Sequence, residues 1–500
     1  MADLLSNLIL GFGVALTLQN IALCFFGCLV GTMIGVLPGI GPLSTMAMLL
    51  PITYRLDPIG ALIMLAGVFY GAQYGGSTTA ILVKIPGEAS SVITVVDGHA
   101  MAQRGRAGVA LSIAALGSLF AGVFTTLLIA AAAPPLAKIA LLFHSADYVS
   151  VMLLGLVSAV VLAHGSVLKA ILMILLGILF GLVGTDVSTG EYRYTLGLDI
   201  LFDGIGFVPI SMGLFGLAEI IGNLEERKGN GFVAAPVNRL WPSWDDLRLS
   251  FGAMVRGTAV GTAFGILPGG GPTISAFTAY SLEKKISRTP GRFGKGAIEG
   301  VAAPESANNA AAQACFIPML SLGIPPNALM ALMIGAMMIH GIQPGPEIIT
   351  KQPALFWGVI ASMLIGNIML VVLNLPLIGI WVRLLRLPYG YLFPSIIVFC
   401  CIGTFTVSMS TGDVLIMTAF GVLGYVFRKL DCEPAPLLLG LVLGPMLEEN
   451  FRRALVLADG DFSIFVTRPI SLGFLIAAVA LLVAVALPSI RRSREEAFRE

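Results

Sequence analysis

Apolar stretches separated by short polar connectors follow one another along the whole chain. An apolar run of about 20 residues is long enough for a helix to cross a bilayer. The pattern predicts helical segments at 4–36, 43–53, 59–83, 107–133, 148–163, 167–184, 204–222, 354–382, 391–410, 413–428, 434–447 and 469–488. Charges between Asp97 and Arg106 indicate a polar connector. We therefore predict an all-α polytopic membrane protein.

Two matching stretches interrupt this pattern. Residues 31–42 read Gly-Thr-Met-Ile-Gly-Val-Leu-Pro-Gly-Ile-Gly-Pro, and residues 261–272, 230 positions later, read Gly-Thr-Ala-Phe-Gly-Ile-Leu-Pro-Gly-Gly-Gly-Pro. In each copy the first proline removes a backbone donor and the glycines permit a positive φ. The second proline suits the first position of a new helix. We therefore predict two structural repeats, each with a broken helix and a re-entrant Pro-Gly loop.

Polar clusters accompany both loops. Residues 75–79 read Gly-Gly-Ser-Thr-Thr and residues 305–309 read Glu-Ser-Ala-Asn-Asn, again 230 apart without a gap. A later break at 323–327 resembles 84–88 once an insertion of nine residues is allowed. The repeated order of break, cluster and break favours inverted repeats, because transporters place their sites between such copies. Parallel repeats are the alternative, and the number of spans between the copies decides between the two.

A simpler interpretation of these features is open. The glycines of the repeats have the small-xxx-small spacing of helix packing faces, and the prolines would then only kink the helices. Hydroxyl and amide side chains at both places favour a binding role, since packing alone does not require them. Lys84 follows an apolar run. It binds a substrate carboxylate, extends to a membrane interface or pairs with Glu88, four positions later.

Composition divides the chain into two apolar halves. Hydrophobic residues make up 57% of the chain and charged residues only 11%, and the net charge of +1 argues against a nucleic-acid partner. The predicted domains are a first transmembrane half at 1–222, a polar linker at 223–248, a second transmembrane half at 249–447, a polar connector at 448–468, and a C-terminal helix with a basic tail at 469–500.

Motifs for other chemistry are missing from the sequence. The six cysteines lie mostly in apolar runs, where they behave as small hydrophobic residues, and no nearby histidine or carboxylate completes a metal set. The sequence lacks paired membrane aspartates, a Ser-His or Ser-Lys pair and a His-Glu-x-x-His helix. We therefore predict that the protein is not an enzyme. A complete phosphate-binding loop is lacking too, so we predict no cofactor and no direct use of ATP.

The predicted substrate and ion site combines the loops with the polar clusters. Unwound backbone and helix N-termini suit carboxylates, whereas hydroxyl and amide oxygens suit a hard cation such as sodium. A sodium site would lie among the same residues as the substrate site. The candidate residues are Pro38, Gly39, Gly41, Ser77, Thr78, Thr79, Lys84, Gly269, Gly270, Gly271, Ser306, Asn308, Asn309 and Asn327.

Four motifs resemble the large membrane subunit, TctA, of the tripartite tricarboxylate transporters: 37–42, 74–79, 267–272 and 303–309. The resemblance implies an ion-coupled symporter subunit of the bacterial inner membrane that imports a carboxylate, with sodium or protons as the coupling ion. It also implies two partners, a small four-helix membrane subunit (TctB-like) and a periplasmic solute-binding protein (TctC-like). No motif distinguishes citrate from another di- or tricarboxylate or an aromatic acid. A passive anion channel is the alternative, since polar re-entrant loops also form selectivity filters.

Overall fold

A computed structural model of the chain describes residues 2–37, 41–140, 142–162, 166–186, 189–225, 236–237, 240–267, 271–345, 347–384 and 389–486. Most of these residues are helical, in agreement with the predicted all-α class. The helices before residue 226 are α1 (Ala2–Ala15), α2 (Leu18–Val36), α3 (Pro42–Thr53), α4 (Pro58–Val83), α5 (Val92–Met101), α6 (Ala107–Ala140), α7 (Ser145–Leu162), α8 (Val167–Gly181), α9 (Phe207–Ser211) and α10 (Ala218–Glu225).

The later helices are α11 (Trp244–Ile266), α12 (Gly271–Ile286), α13 (Glu299–Ala314), α14 (Phe316–Leu322), α15 (Ala328–Ile339), α16 (Glu347–Lys351), α17 (Pro353–Asn374), α18 (Ile378–Leu384), α19 (Tyr389–Ser408), α20 (Thr411–Lys429), α21 (Ala435–Leu457), α22 (Ile464–Thr467) and α23 (Pro469–Ala486). Short 3₁₀ turns lie at Ala89–Ser91, Asp199–Leu201 and Pro290–Arg292, and π turns at Ala102–Arg106 and Met212–Leu217. The two strands, β1 (Gly184–Thr185) and β2 (Tyr192–Arg193), pair antiparallel.

Five helical stretches within the described residues are long and apolar enough to cross a membrane, judged by length and composition. They are α2, α4, the stretch Ala89–Ala132, α17 and α20. Helix α4 lies at the centre of the bundle, and all of its residues from Gly60 to Leu82 are buried. A helix buried on every side needs no polar face, which explains why its sequence shows no amphipathic period.

Helices α2 and α4 approach each other backbone to backbone. A methyl group added at Gly27, Gly31 or Gly35 of α2 would lie 2.2, 2.3 or 2.4 Å from a carbonyl oxygen of α4. These oxygens belong to Met64, Val68 and Ala72. Only glycine permits such an approach, and the glycine spacing of one turn keeps the contact along the whole interface.

The second half contains a matching pair. Added methyl groups at Gly257, Gly261 and Gly265 of α11 would lie 2.2, 2.2 and 2.6 Å from carbonyl oxygens of α13. These oxygens belong to Ala303, Ala307 and Ala311. The glycines follow those of α2 by 230 positions, but the carbonyls follow those of α4 by 239. The nine additional residues therefore lie between the start of α12 and the contact of α13 with α11.

The turn that follows α4 and the turn that follows α14 are also 239 positions apart in the sequence. Lys84 and Gly323 both take the left-handed conformation, with φ of 62° and 71°. Glu88 and Asn327 then stand at the start of the next helical segment. The ungapped comparison of the two polar clusters is therefore wrong. Residues 75–79 and 305–309 occupy different places in the two pairs, because the insertion comes before the second cluster.

The polar connector predicted at 97–106 is also wrong, because α5 and a π turn continue to Arg106. Asp97 is buried there and accepts hydrogen bonds from the N–H groups of Gly296 (2.7 Å) and Ala297 (2.8 Å). The hydroxyl of Tyr280 donates a third (2.9 Å). Three donors compensate for the burial of this carboxylate, so a charged residue is accommodated inside the bundle.

One other helix boundary differs from the prediction. Helix α21 does not end at 447 but continues to Leu457, into the predicted connector. Arg452 and Arg453 pair with Glu448 and Glu449 one turn earlier (2.7 and 2.6 Å), which supports a helix with charged faces. Most of the predicted linker at 223–248 falls between the end of α10 and the start of α11.

Candidate functional site

The two halves of the chain meet at the side chain of Glu305 on α13. Glu305 is 1% exposed. Its two oxygens accept hydrogen bonds from the hydroxyls of Ser77 on α4 and Thr94 on α5, both at 2.5 Å. The predicted site residue Ser77 therefore contacts a carboxyl group from the other half, and two hydrogen bonds connect α4, α5 and α13.

A second carboxylate, Glu88, lies in the turn between α4 and α5. The hydroxyl of Ser90 donates to Glu88 and is also 2.9 Å from the side-chain oxygen of Gln73. The amide nitrogen of Asn308 lies 3.4 Å from Glu88 Oε1. Because Asn308 follows Glu305 by three residues, both side chains lie on one face of α13. We call Gln73, Glu88, Ser90 and Asn308 the Glu88 cluster.

Neither carboxylate has a cationic partner among the described residues. Glu305 is buried, whereas Glu88 keeps part of its surface exposed. Removing an ionised carboxylate from water is costly unless hydrogen bonds and an opposite charge replace the water. The hydrogen bonds are present here, but no opposite charge is supplied by the described residues.

The remaining cluster residues surround this centre. Thr79 donates to the carbonyl oxygen of Gly76 (2.9 Å) and is fully buried. Thr78 lines a cavity of about 10 Å³, large enough for one water molecule, together with Tyr74, Ser77, Ser118, Asn374 and apolar side chains. The hydroxyl of Tyr74 and the side-chain oxygen of Asn374 are buried and make no hydrogen bond with the described residues.

Ser306 and Asn309 face α6 instead. The amide nitrogen of Asn309 donates to the hydroxyl of Ser118 at 2.6 Å. The hydroxyl of Ser306 lies 2.7 Å from where a methyl group on Gly117 would stand, and within the described residues it has no hydrogen-bond partner. These two predicted residues thus extend the polar region from Glu305 toward α6.

The structure describes only part of the two Pro-Gly loops. Pro38, Gly39, Gly269 and Gly270 lie outside the described residues. The N–H of Gly41, at the start of α3, donates to the carboxylate of Glu219 at 3.0 Å. A carboxylate is thus bound at this helix start, which is the type of partner that the sequence analysis assigns to the loops.

The second loop lies near Asn327. A methyl group at Gly271 would lie 3.9 Å from the amide nitrogen of Asn327. That nitrogen donates to the sulfur of Cys315 at 3.3 Å, and the side-chain oxygen caps α15 at Met330. Cys315 follows Glu305 by ten residues, roughly 15 Å along a helix axis. Gly271 and Asn327 therefore lie apart from the Glu88 cluster.

Lys84 ends α4 in a left-handed conformation, and its side chain is exposed. It forms no ion pair with the described residues, so it is not paired with Glu88 there. The left-handed turn directs the chain back toward Gly76, where Glu88 packs. The i,i+4 spacing suggested by the sequence applies only within a helix, which has ended by this point.

Five residues of this site are not among those predicted from the sequence: Gln73, Glu88, Ser90, Thr94 and Glu305. One signal in the sequence points to Glu305, because no lysine, arginine or histidine occurs between Lys295 and His340. A carboxylate in an apolar stretch without nearby basic residues is a candidate functional group. Thr94 gives no such signal, since a single threonine is common on any helix.

Comparisons with known proteins identify the family of the chain. The chain is 54% identical to an uncharacterized 52.8 kDa protein in the TAR-I ttuC′ 3′ region of Agrobacterium vitis, over the whole length of both chains. It is also 54% identical, over 48% of this chain and 99% of the relative, to an uncharacterized protein in the TAR-II ttuC′ 3′ region of the same organism. No solved structure matches the chain. A family model described as "Tripartite tricarboxylate transporter TctA family" matches residues 21–439, so the chain belongs to this family of membrane transporters.

Proposed function

We propose that this multi-pass membrane protein imports an organic carboxylate by ion-coupled secondary transport. One observation carries the proposal. Side chains of both halves, including Ser77 and Glu305, form one polar network between the glycine-packed pairs α2–α4 and α11–α13. Sites of secondary transporters lie between structural repeats, where discontinuous helices supply polar groups. The substrate is a tricarboxylate such as citrate or a related organic acid.

The protein works with two partners in this proposal. A small TctB-like membrane subunit completes the membrane complex, and a periplasmic TctC-like binding protein delivers the carboxylate. The complex lies in a bacterial inner membrane. Membership of a tripartite transporter family supports this assembly.

The substrate is bound by the helix starts of the two loops together with the polar side chains on α4 and α13. The bond from the Gly41 N–H to Glu219 supports this role, because it pairs a carboxylate with the start of α3. Lys84 supplies an additional positive charge at the rim of the site. Uptake by the variant Lys84→Gly, which keeps the left-handed turn, tests whether this ammonium group contributes.

The two halves act as inverted repeats in this proposal. Their matched glycine contacts and left-handed turns support a repeat relationship. Single cysteines at Leu43 and Thr273, in a background lacking the native cysteines, test the inversion with membrane-impermeant reagents. Reaction from opposite sides of the membrane is expected. Reaction of both cysteines from the same side would favour parallel repeats.

Import must be coupled to the entry of cations. A potential of about 100 mV, negative inside, opposes each entering negative charge by about 2.3 kcal/mol, so a fully ionised tricarboxylate faces roughly 7 kcal/mol. Each sodium ion or proton that enters returns about 2.3 kcal/mol. Three cations make the step electroneutral, and any further cation drives accumulation. A proton on the substrate counts as one of them.

Uptake into proteoliposomes tests the function. The vesicles contain both membrane subunits, the binding protein is added outside, and labelled citrate and other di- and tricarboxylates are supplied in turn. Accumulation against the substrate gradient is expected, and it should stop when the sodium and proton gradients are both removed. Equilibration without accumulation would indicate the alternative function, a passive anion channel.

A further inference from the structure

We propose that the Glu88 cluster binds a sodium ion, and that this ion is one of those that drive import. The inference rests on the proposed function and deepens it by assigning the coupling ion to a site. The ion's ligands are the carboxylate of Glu88 and the side-chain oxygens of Asn308, Ser90 and Gln73. These residues come from α4, from the turn that follows it and from α13.

The charge of the site is the first argument. Glu88 and Glu305 bring two carboxylates close to Asn308, and no lysine, arginine or histidine of the described residues pairs with either. Glu305 already accepts two hydroxyl hydrogen bonds at 2.5 Å. Two carboxylates at this depth without a basic partner require compensation by protons or by a bound cation, and the sodium titration below distinguishes the two.

The second argument is an oxygen atom without a partner. The side-chain oxygen of Asn308 is buried and accepts no hydrogen bond from the described residues, although the nitrogen of the same amide lies 3.4 Å from Glu88. Asn308 itself is fully buried. Buried polar atoms nearly always have a partner, so this amide oxygen beside a carboxylate is a candidate ligand for a bound ion.

The donor set favours sodium over other ions. A proton needs one acceptor, whereas a hard cation is held by several oxygens at once. The cluster offers one carboxylate and three neutral oxygens. Within the described part of the chain, no group of three or more His, Cys, Asp or Glu side chains is placed to hold a metal ion, so the set does not suit a transition metal.

The position of Glu88 explains how the ion reaches the site and what it does there. Glu88 is partly exposed, while Asn308 is enclosed, so an ion can enter from the side of the turn. A bound ion bridges the turn after α4 to α13, which belongs to the other half. It also reduces the negative potential that two carboxylates exert on an anionic substrate nearby.

Thermal unfolding of the purified full-length protein in detergent tests binding directly. At constant pH and ionic strength, replacing choline chloride by sodium chloride should raise the unfolding temperature, because a ligand that binds the native state stabilises it. Glu88→Gln should abolish this shift. Asn308→Ala, which keeps both carboxylates, should raise the sodium concentration for half of the effect about tenfold, as expected for one lost contact to a charged group.

A matched control uses another carboxylate of the bundle. Asp97 is buried like Glu305, but its three hydrogen-bond donors leave no place for an ion. Asp97→Asn should therefore keep the sodium shift. A wild-type protein whose stability responds to pH but not to sodium would overturn the proposal, and so would an unchanged sodium shift in both Glu88→Gln and Asn308→Ala.

Transport separates this inference from the proposed function. In the proteoliposomes, Glu88→Gln should accumulate roughly 50-fold less substrate than the wild type, the factor that a potential of about 100 mV supplies through one cation. Normal sodium-driven accumulation by Glu88→Gln would refute the sodium site but would leave the proposed transport function standing. Failure of the wild type to accumulate any substrate would refute the proposed function. The change of unfolding temperature with sodium would still decide whether the site binds this ion.

Discussion

Replacing Gly31 by alanine should separate α2 from α4 and destabilise the protein. The added methyl group would lie 2.3 Å from the carbonyl oxygen of Val68, and an ordinary van der Waals contact begins at 3.4 Å. The helices must therefore move apart by roughly 1 Å, which weakens the adjacent contacts of Gly27 and Gly35 as well. Overpacking of this type costs about 1–3 kcal/mol, and we expect the upper part of the range because rigid backbone lies on both sides.

Gly13 provides the matched control. It lies in α1, is exposed, and has no atom within 4 Å of an added methyl group. Gly13→Ala should leave stability unchanged or raise it by about 0.5–1 kcal/mol, since alanine is the better helix former. Thermal unfolding in detergent compares the two variants at equal protein concentration. Equal unfolding temperatures for Gly31→Ala and Gly13→Ala would refute the backbone-to-backbone packing described above.

Three further predictions concern other parts of the chain. Gly323→Ala should lower stability by about 1–2 kcal/mol, because the φ of 71° at this position is unfavourable for alanine. Lys84→Gly should raise stability slightly, because Lys84 has a φ of 62°, which glycine adopts without strain. Thermal unfolding checks both variants. Thr78→Ala should abolish uptake while the elution profile and unfolding temperature stay normal, because Thr78 lines the cavity beside Ser77; normal uptake would place the site elsewhere. Asp246→Asn should cost about 1 kcal/mol at neutral pH by weakening the capping box with Ser243 at the start of α11 and removing the 2.5 Å ion pair with Arg106. Burial acts to raise the pKa of Asp246, but its hydrogen bonds hold that pKa below the usual value, so the difference from wild type should vanish as pH falls through the folded-state pKa.

Apolar length and helix breakers made the helical architecture predictable. The half-helix predicted at 43–53 is α3, Pro42–Thr53, because proline at the first position and the apolar run after it leave few alternatives. The apolar region predicted as one segment at 4–36 divides at Thr17, whose hydroxyl accepts a hydrogen bond from the N–H of Asn20 and caps α2. Local signals of this type depend on a few neighbouring residues, so the sequence alone contains them.

Contacts between distant segments were much less predictable. Asp97 looked like a surface charge because its three donors come from residues nearly 200 positions later. Glu305 was considered only as part of a polar cluster, since its partners on α4 and α5 are brought to it by the packing of the two halves. A single sequence gives the chemistry of each side chain but not which side chains meet.

The glycine contacts also determine which parts of the protein can move. Helices whose backbones touch along several turns slide or tilt only at the cost of many steric clashes, so we expect each of the pairs α2–α4 and α11–α13 to move as a rigid body. The contacts between Glu305 and its hydroxyl partners are different, because a few hydrogen bonds can break and re-form during each cycle. Alternating access would then arise by rocking of one pair against the other, with Ser77 and Glu305 separating whenever the path opens.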